Sequence, residues 1–394
     1  MKICAVICEY NPFHSGHRYQ LGQIRKLSGC DRILCLMSGN FTQRGDIAVL
    51  DKFTRARHAV ENGADIVLEL PTAFSVAPAE KFASGAIHIL SSIPAVTTLA
   101  FGCENGTKED FIRTAKAMRS EDKAFKNLLK ENMKDGTSYV KARTQTVLQL
   151  NEDVDEALLT SPNNILGTEY CRALLEKGSN IEPLPIPRVG GGYADTALYR
   201  EFSSASALRA ALKDESKKTK KLLKGNLPAN VFKALAGYKE PPYKIAALCA
   251  LLSADSETVT KVPDCSEGLE NRLRAMAKSN PDYDAMLGKV VSKRYTLSRL
   301  KRILAQNFLG IARKDVNSYL EVPLYCKVLA VKLSAQGELL SALAKGAFPV
   351  LARKSDTSAI KKDALPCYET DVRANDLYNS LTGKFTNHSE TLFI

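Results

Sequence analysis

The spacing of apolar and polar residues divides the 394-residue chain into two regimes. In the first, short apolar runs alternate with amphipathic stretches. Residues 2–8 (KICAVIC), 32–37 (RILCLM), 65–70 (DIVLEL) and 97–101 (TTLAF) have the length and β-branched content of buried strands. Each run stops at a loop or a breaker: EYNPFHSGH, SGNFTQRGD, Pro71 and Gly102. Helical spacing predicts helices over 18–27, over 51–62 with Asp51 as cap and Gly63 as stop, and over 78–91. Alternating strands and helices imply a parallel sheet covered on both faces. From Lys108 the pattern turns helical, which predicts an insertion over 108–160. A further helix follows at 163–177, then a late strand at 181–187 (IEPLPIP) and a Ser-capped helix at 203–212. Beyond Lys213 the periodicity is mostly helical, with no repeated βα unit. The expectation is an α/β, Rossmann-like parallel sheet over 1–210 and a mostly α domain over 211–394.

Composition narrows the possibilities. Hydrophobic residues make up 45% and charged residues 25%, which is ordinary for a globular protein. The length exceeds one ordinary core. No apolar run reaches the ~20 residues a membrane helix needs. The N-terminal run stops at Glu9 with no small-residue cleavage site after it, so a cytoplasmic protein is expected. None of the ten cysteines forms a CxxC pair or a zinc-finger spacing, which points to reduced core thiols. The net charge of +12 is uneven: residues 201–394 hold 31 Lys+Arg against 20 Asp+Glu, leaving 24 against 23 for residues 1–200. A basic half suits a polyanion such as RNA. A solvated lysine-rich helix face accounts for it equally well.

Two segments carry candidate chemistry. In Glu9–Tyr10–Asn11–Pro12–Phe13–His14–Ser15–Gly16–His17, a strand-end loop runs into a helix, where backbone N–H groups meet an anion. Two of the five histidines fall in one tetrad there, placed to donate to the oxygens of a departing pyrophosphate. In Phe202–Ser203–Ser204–Ala205–Ser206–Ala207–Leu208–Arg209, Ser203 or Ser204 would cap a helix and Arg209 would add a fixed charge. A Ser-capped surface helix would look the same. Asn40, Gln43 and Arg44 form a polar cluster after the second strand, fit for a carboxylate or a reacting phosphate. Lys52, Arg55 and Arg57 open the next helix, either facing phosphates or RNA or forming a solvated face. Glu9 and Glu104 are the acidic residues near strand ends, with no triad and no acidic metal cage.

HSGH resembles the HxGH signature of the nucleotidyltransferase superfamily, and SSASALR its late Ser-Ser-Thr-x-x-Arg element, with Ala205 at the Thr-like position. CEYNPFHSGH, MSGNFTQRGD, DKFTRARHAVENGADIVLELP, FGCE, SPNNILGTEY, PIPRVGGGYAD and SSASALR, in this order, closely resemble the tRNA(Met) cytidine acetate ligase family of bacteria. That resemblance implies activation of acetate by ATP as acetyl-adenylate. It further implies acetylation of N4 of the wobble cytidine of elongator tRNA(Met). His14 and His17 are then catalytic. The ATP contacts would be Ile7, Cys8, Glu9, Tyr10, Asn11, Pro12, Phe13, His14, Ser15, Gly16, His17, Arg18, Tyr19 and Gln20, with Gly102, Asn163 and Arg188. For Asn163 and Asn164 a helix-capping role stays open beside a ligand role. Asn40, Gln43, Arg44, Asn164, Ser204 and Arg209 are further substrate or phosphate candidates. Lys217, Lys218, Lys220, Lys221 and Lys224 are the tRNA-binding candidates. Mg²⁺ is expected with the ATP phosphates, no residue is expected to be a metal ligand, and neither a membrane nor a protein partner is expected. The rival readings are an adenylyl- or cytidylyltransferase acting on a small phosphorylated metabolite, and a non-enzymatic RNA-binding protein.

Overall fold

The computed structural model describes residues 1–119, 122–134, 136–189, 198–266 and 268–394. The glycine run of PIPRVGGGYAD lies outside the described residues. Five strands form the parallel part of one sheet: β1 (Ile3–Cys8), β2 (Arg32–Ser38), β3 (Ile66–Leu70), β4 (Val96–Cys103) and β5 (Glu182–Pro187), in spatial order β5-β4-β1-β2-β3. The strands read as unbroken apolar runs because successive side chains enter different cores. Ile3, Ala5, Leu34 and Leu36 face the helices Ala79–Leu90 and Pro162–Lys177, while Cys4, Val6, Ile33, Cys35 and Met37 face Ser15–Leu27 and Lys52–Glu61. The insertion, with helices Lys108–Arg119, Lys123–Asn132 and Tyr139–Leu150, closes over its own small core of Met118, Phe125, Val147, Val154 and Leu159.

The sheet departs from the parallel expectation at its far edge. β6 (Cys326–Val331) pairs antiparallel with β3, and β7 (Val350–Leu351) and β8 (Leu392–Phe393) pair parallel with β6. A six-residue run buried throughout, such as CKVLAV, has the same apolar pattern as a stretch of buried helix. Periodicity alone therefore missed it among the helices after Lys213. Tyr243, Leu248, Leu273, Met286, Leu300 and Ile303 of the later helices belong to the same core as Leu34 and Leu68 of the sheet. Among the described residues no helix is long and apolar enough to cross a membrane. All ten cysteines are free thiols, seven of them buried.

Candidate active site

β1, β2 and β4 end at a common rim, where a cleft of about 1150 Å³ opens. Ligand clefts in such sheets lie at the carboxyl ends of the strands. The first wall follows from β1. His14 is the N-cap of the helix Ser15–Leu27, in extended backbone. Its Nδ1 accepts the Gly16 N–H at 3.1 Å, and His17 Nδ1 accepts the His14 N–H at 3.3 Å. The two rings stack with centroids 3.7 Å apart, and Tyr10 packs beside His17 at 4.7 Å. A neutral imidazole whose Nδ1 accepts must carry its proton on Nε2. Burial pushes the His14 pKa down to about 3, with Arg188 and Arg209 adding to the effect. Burial, then His14 and Arg188, hold His17 well below its ordinary value. Both rings are therefore neutral at pH 7, each with one Nε2–H donor. A Cβ at Gly16 would lie 2.9 Å from the His14 ring, so the capping ring itself demands the glycine.

The second wall is the helix Ala205–Ala211. Ser204 Oγ caps it by accepting the Ala207 N–H at 3.0 Å. Arg209 reaches back to the first wall, donating from Nη1 to the Asn11 carbonyl at 2.7 Å and from Nη2 to Ser206 Oγ at 3.2 Å. Its remaining N–H groups stay available, because a guanidinium has five. The third wall is the end of β4. The Arg188 N–H donates to the Cys103 carbonyl at 3.0 Å and prolongs the β4–β5 pairing. A Cβ on Gly102 would come within 3.4 Å of Arg188 Cγ and 3.7 Å of Gln20 Nε2. Arg44, Arg188 and Arg209 thus line one cleft with the two histidines. Of the two carboxylates there, Glu9 accepts the Gln43 N–H at 2.7 Å and Asp46 pairs with Lys301 at 2.9 Å. Burial raises the Glu9 pKa, against the Gln43 N–H and the charges of Arg209, Arg55 and Arg44.

Most of the residues singled out from sequence meet here. Ile7, Cys8, Glu9, Tyr10, Asn11, His14, His17, Gln20, Gln43, Arg44, Gly102, Asn163, Arg188, Ser204 and Arg209 line the cleft, and Gly16 and Tyr19 line a recess that joins it. Others do not line it. Phe13 is fully buried in the core, Pro12 is buried beside it, and Arg18 is exposed. Ser15 Oγ is buried without a hydrogen-bond partner. Asn40 is buried as a brace, accepting the Lys52 N–H at 2.8 Å and donating to Asn375 at 3.3 Å. Asn164 is a second brace, accepting the Glu104 N–H at 2.9 Å and donating to the Asn105 side chain at 2.6 Å. Neither Asn163 nor Asn164 caps the helix, because Ser161 holds that position. The Glu104 carboxylate instead accepts from Asn163 Nδ2 at 2.6 Å and from the Asn164 N–H at 3.1 Å.

Lys52 and Arg55 form no solvated face and have no access to RNA. Lys52 pairs with Glu69 at 2.8 Å in the interior. Arg55, fully buried, donates to the carbonyls of Leu50, Glu9, Ser38 and Gly39. Only Arg57 of that trio is exposed. Thr42, Asp46, Phe82, Phe101 and Tyr170 also line the cleft and were missed from sequence. Thr42 and Asp46 sit inside the SGNFTQRGD motif, which was signal enough to include them. The three aromatics look like core residues until the topology brings them to the rim.

Two stacked, neutral histidines at a helix start, facing three arginines across the end of a parallel sheet, form a site for transfer of a nucleotidyl group. The model of the HIGH Nucleotidyl Transferase family matches residues 1–391. The chain belongs to this family and, within it, to the tRNA(Met) cytidine acetate ligases. It is 38% identical over 344 residues to the tRNA(Met) cytidine acetate ligase of Clostridium botulinum strain Hall, covering 84% of each chain. The enzyme of that name from Clostridium acetobutylicum is 34% identical over 402 residues, covering 98% of this chain and 97% of its own. The fold is similar over the full length of both chains to crystal structures of Thermotoga maritima TmcAL. The apo form gives a TM-score of 0.92 at 30% identity, and the form bound with alpha-thio ATP gives 0.89 at 29%.

Proposed function

We infer that the protein is an ATP-dependent ligase that activates acetate as acetyl-adenylate and acetylates N4 of the wobble cytidine of elongator tRNA(Met). The observation that carries this reading is the reciprocal His14–His17 cap. It holds two Nε2–H donors in an arginine-lined cleft, in a chain similar along its length to tRNA(Met) cytidine acetate ligases.

In the first step an acetate oxygen attacks the α-phosphorus of ATP. The new O–P bond replaces the bond to the bridging oxygen, and pyrophosphate leaves. Such a displacement calls for positioning and charge stabilisation more than for an acid or base. His14 and His17 donate to the departing oxygens, and Arg209 adds a fixed charge. Adenosine lies toward the recess of Gln20, Gly102 and Arg188. In the second step the cytidine N4 amine attacks the acetyl carbon; the N–C bond forms, the C–O bond to AMP breaks, and a proton is released. Among the described residues no group of three or more His, Cys, Asp or Glu converges, and Glu9 and Asp46 already have partners. Mg²⁺ accompanying ATP would be held largely by phosphates and water and would neutralise phosphate charge. Residues 1–210 carry the activation chemistry, and the basic residues 211–394 supply RNA affinity. The cytoplasm, where ATP and tRNA occur together, is the expected site of action, and no protein partner is needed.

The test is isotope-labelled acetate with ATP and no tRNA. Label is expected in an adduct with AMP, with pyrophosphate released in step. If label enters tRNA only from acetyl-CoA, the acetate-activating reading is wrong.

A further inference from the structure

The cleft continues past the reacting centre. Its inner recess shares His14, His17, Gln20, Gly102 and Arg188 with the main chamber. On the other side an outer chamber of about 1240 Å³ shares Gln43, Arg44, Asp46, Leu166, Ser206 and Arg209 with it. Recess and outer chamber have no lining residue in common. The three compartments therefore lie in sequence, with the histidines between the first two and Arg209 between the last two.

The outer chamber is built from distant parts of the chain. One wall is the start of the helix Leu297–Leu309, with Leu297, Ser298 and Lys301; another is the start of Pro162–Lys177, with Ile165 and Leu166. The floor is the loop after β2, pinned to the later helices. Lys301 Nζ meets Asp46 at 2.9 Å, Tyr243 donates to the Gly45 carbonyl at 2.9 Å, and a side chain at Gly45 would run into the Lys301 backbone. Leu297, Ile165 and Leu166 give the chamber an apolar face. Arg44, Arg209 and Lys301 give it cationic groups, and Ser298 a hydroxyl.

We propose that this outer chamber receives the acceptor nucleoside of the RNA, with its base against the Ile165–Leu166–Leu297 face and its flanking phosphates toward Arg44 and Lys301. The proposal rests on the ligase reading. A base that reacts at an exocyclic amine must leave its stack, and an unstacked base needs an apolar platform with cations for its backbone. Entry from this side delivers the amine to the main chamber opposite the adenosine recess, so ATP and RNA can be held together.

Ser298→Glu tests this. Position 298 lies in the first turn after the Thr296 cap, where a carboxylate favours the helix, so the fold is kept while a negative charge enters the chamber. Two quantities are measured: acetate-dependent ATP–pyrophosphate exchange without RNA, and acetyl transfer to tRNA. The expected result is exchange within about twofold of wild type and transfer reduced about tenfold or more, mainly through KM for tRNA. Ser298→Lys is expected to retain transfer. Unchanged transfer in Ser298→Glu would overturn the proposal. So would exchange and transfer falling together, because the chamber would then serve activation. Wild-type protein with no acetate-dependent exchange would instead reject the ligase reading itself.

Discussion

At the scale of single residues, the paired histidines do two jobs, and suitable variants separate them. His14 caps a helix through Nδ1 and offers a donor through Nε2. His14→Ala loses both functions. It is expected to cost ~1 kcal/mol of stability as a lost cap and ~3 kcal/mol of transition-state stabilisation, a roughly hundredfold fall in adenylation. His14→Asn keeps a capping side chain and loses the ring. Its unfolding midpoint should match wild type while acetate-dependent pyrophosphate release stays low. Release at the wild-type rate from His14→Asn would show that the ring only caps. Because the folded protein holds both histidines neutral, the adenylation rate of the free enzyme should show no histidine inflection near pH 6.5. The sequence disclosed the tetrad but not its geometry, since histidine is seldom read as a cap. Polar residues near the site were harder still. Asn40, Asn164 and Arg55 sit in or beside motif loops just as ligands do, and only burial distinguishes them as braces.

At the scale of elements, Arg55 shows how the cleft is held open in one shape. Its guanidinium joins the carbonyl of Glu9 after β1 to those of Ser38 and Gly39 at the end of β2, and it anchors to Leu50 before its own helix. Burial pulls its pKa down, against the opposing effects of Tyr378, Asp51, Glu9 and Cys8. Arg55→Met leaves buried carbonyl groups without a donor, each costing ~1–3 kcal/mol. We expect a loss of about 3–5 kcal/mol, measured by urea unfolding, even though Arg55 does not line the cleft. A variant as stable as wild type would contradict this bracing role. The five parallel strands were legible in the sequence because each is a short apolar run ended by a loop, Gly or Pro. β6 was not, because its partner β3 lies more than 250 residues earlier and no hairpin or βα unit announces the pairing. Its burial on every face also erased the alternation that would have marked an edge strand.

At the scale of the whole molecule, two charge distributions make separate predictions. The first is internal. All five histidines are held below their ordinary pKa, in each case chiefly by burial. Below pH 6.5 the unfolded chain therefore binds more protons than the folded one, and stability falls as pH falls. Burial also lowers Lys327 to about 7, with Lys52 adding to the effect, which extends the rise in stability above neutrality. Asp371, raised to about 7 by burial and by Glu69, and Glu9 and Glu169, both raised chiefly by burial, act in the opposite direction in the acid range, but they are three groups against five. The unfolding temperature should rise from pH 5 to pH 8; a flat or falling profile would contradict the linkage. The second distribution is external. Lys217, Lys218, Lys220, Lys221 and Lys224 are all exposed on the helix Lys217–Asn226, which buries Thr219, Leu223 and Asn226 instead. None of the five lysines lines the cleft or the outer chamber, so we propose for them a part in affinity for the body of the tRNA and none in the chemistry. Each phosphate contact steepens the fall of the binding constant with salt by ~0.7–0.9 in log–log slope. Replacing Lys217, Lys218, Lys220 and Lys221 with Ser should weaken tRNA binding and flatten that slope, while acetate activation without tRNA continues at the wild-type rate. If tRNA affinity is unchanged at every salt concentration, this helix is a solvated face. The RNA must then be held by other basic groups, those of the outer chamber among them, and Ser298→Glu would weaken binding where the lysine variant spares it.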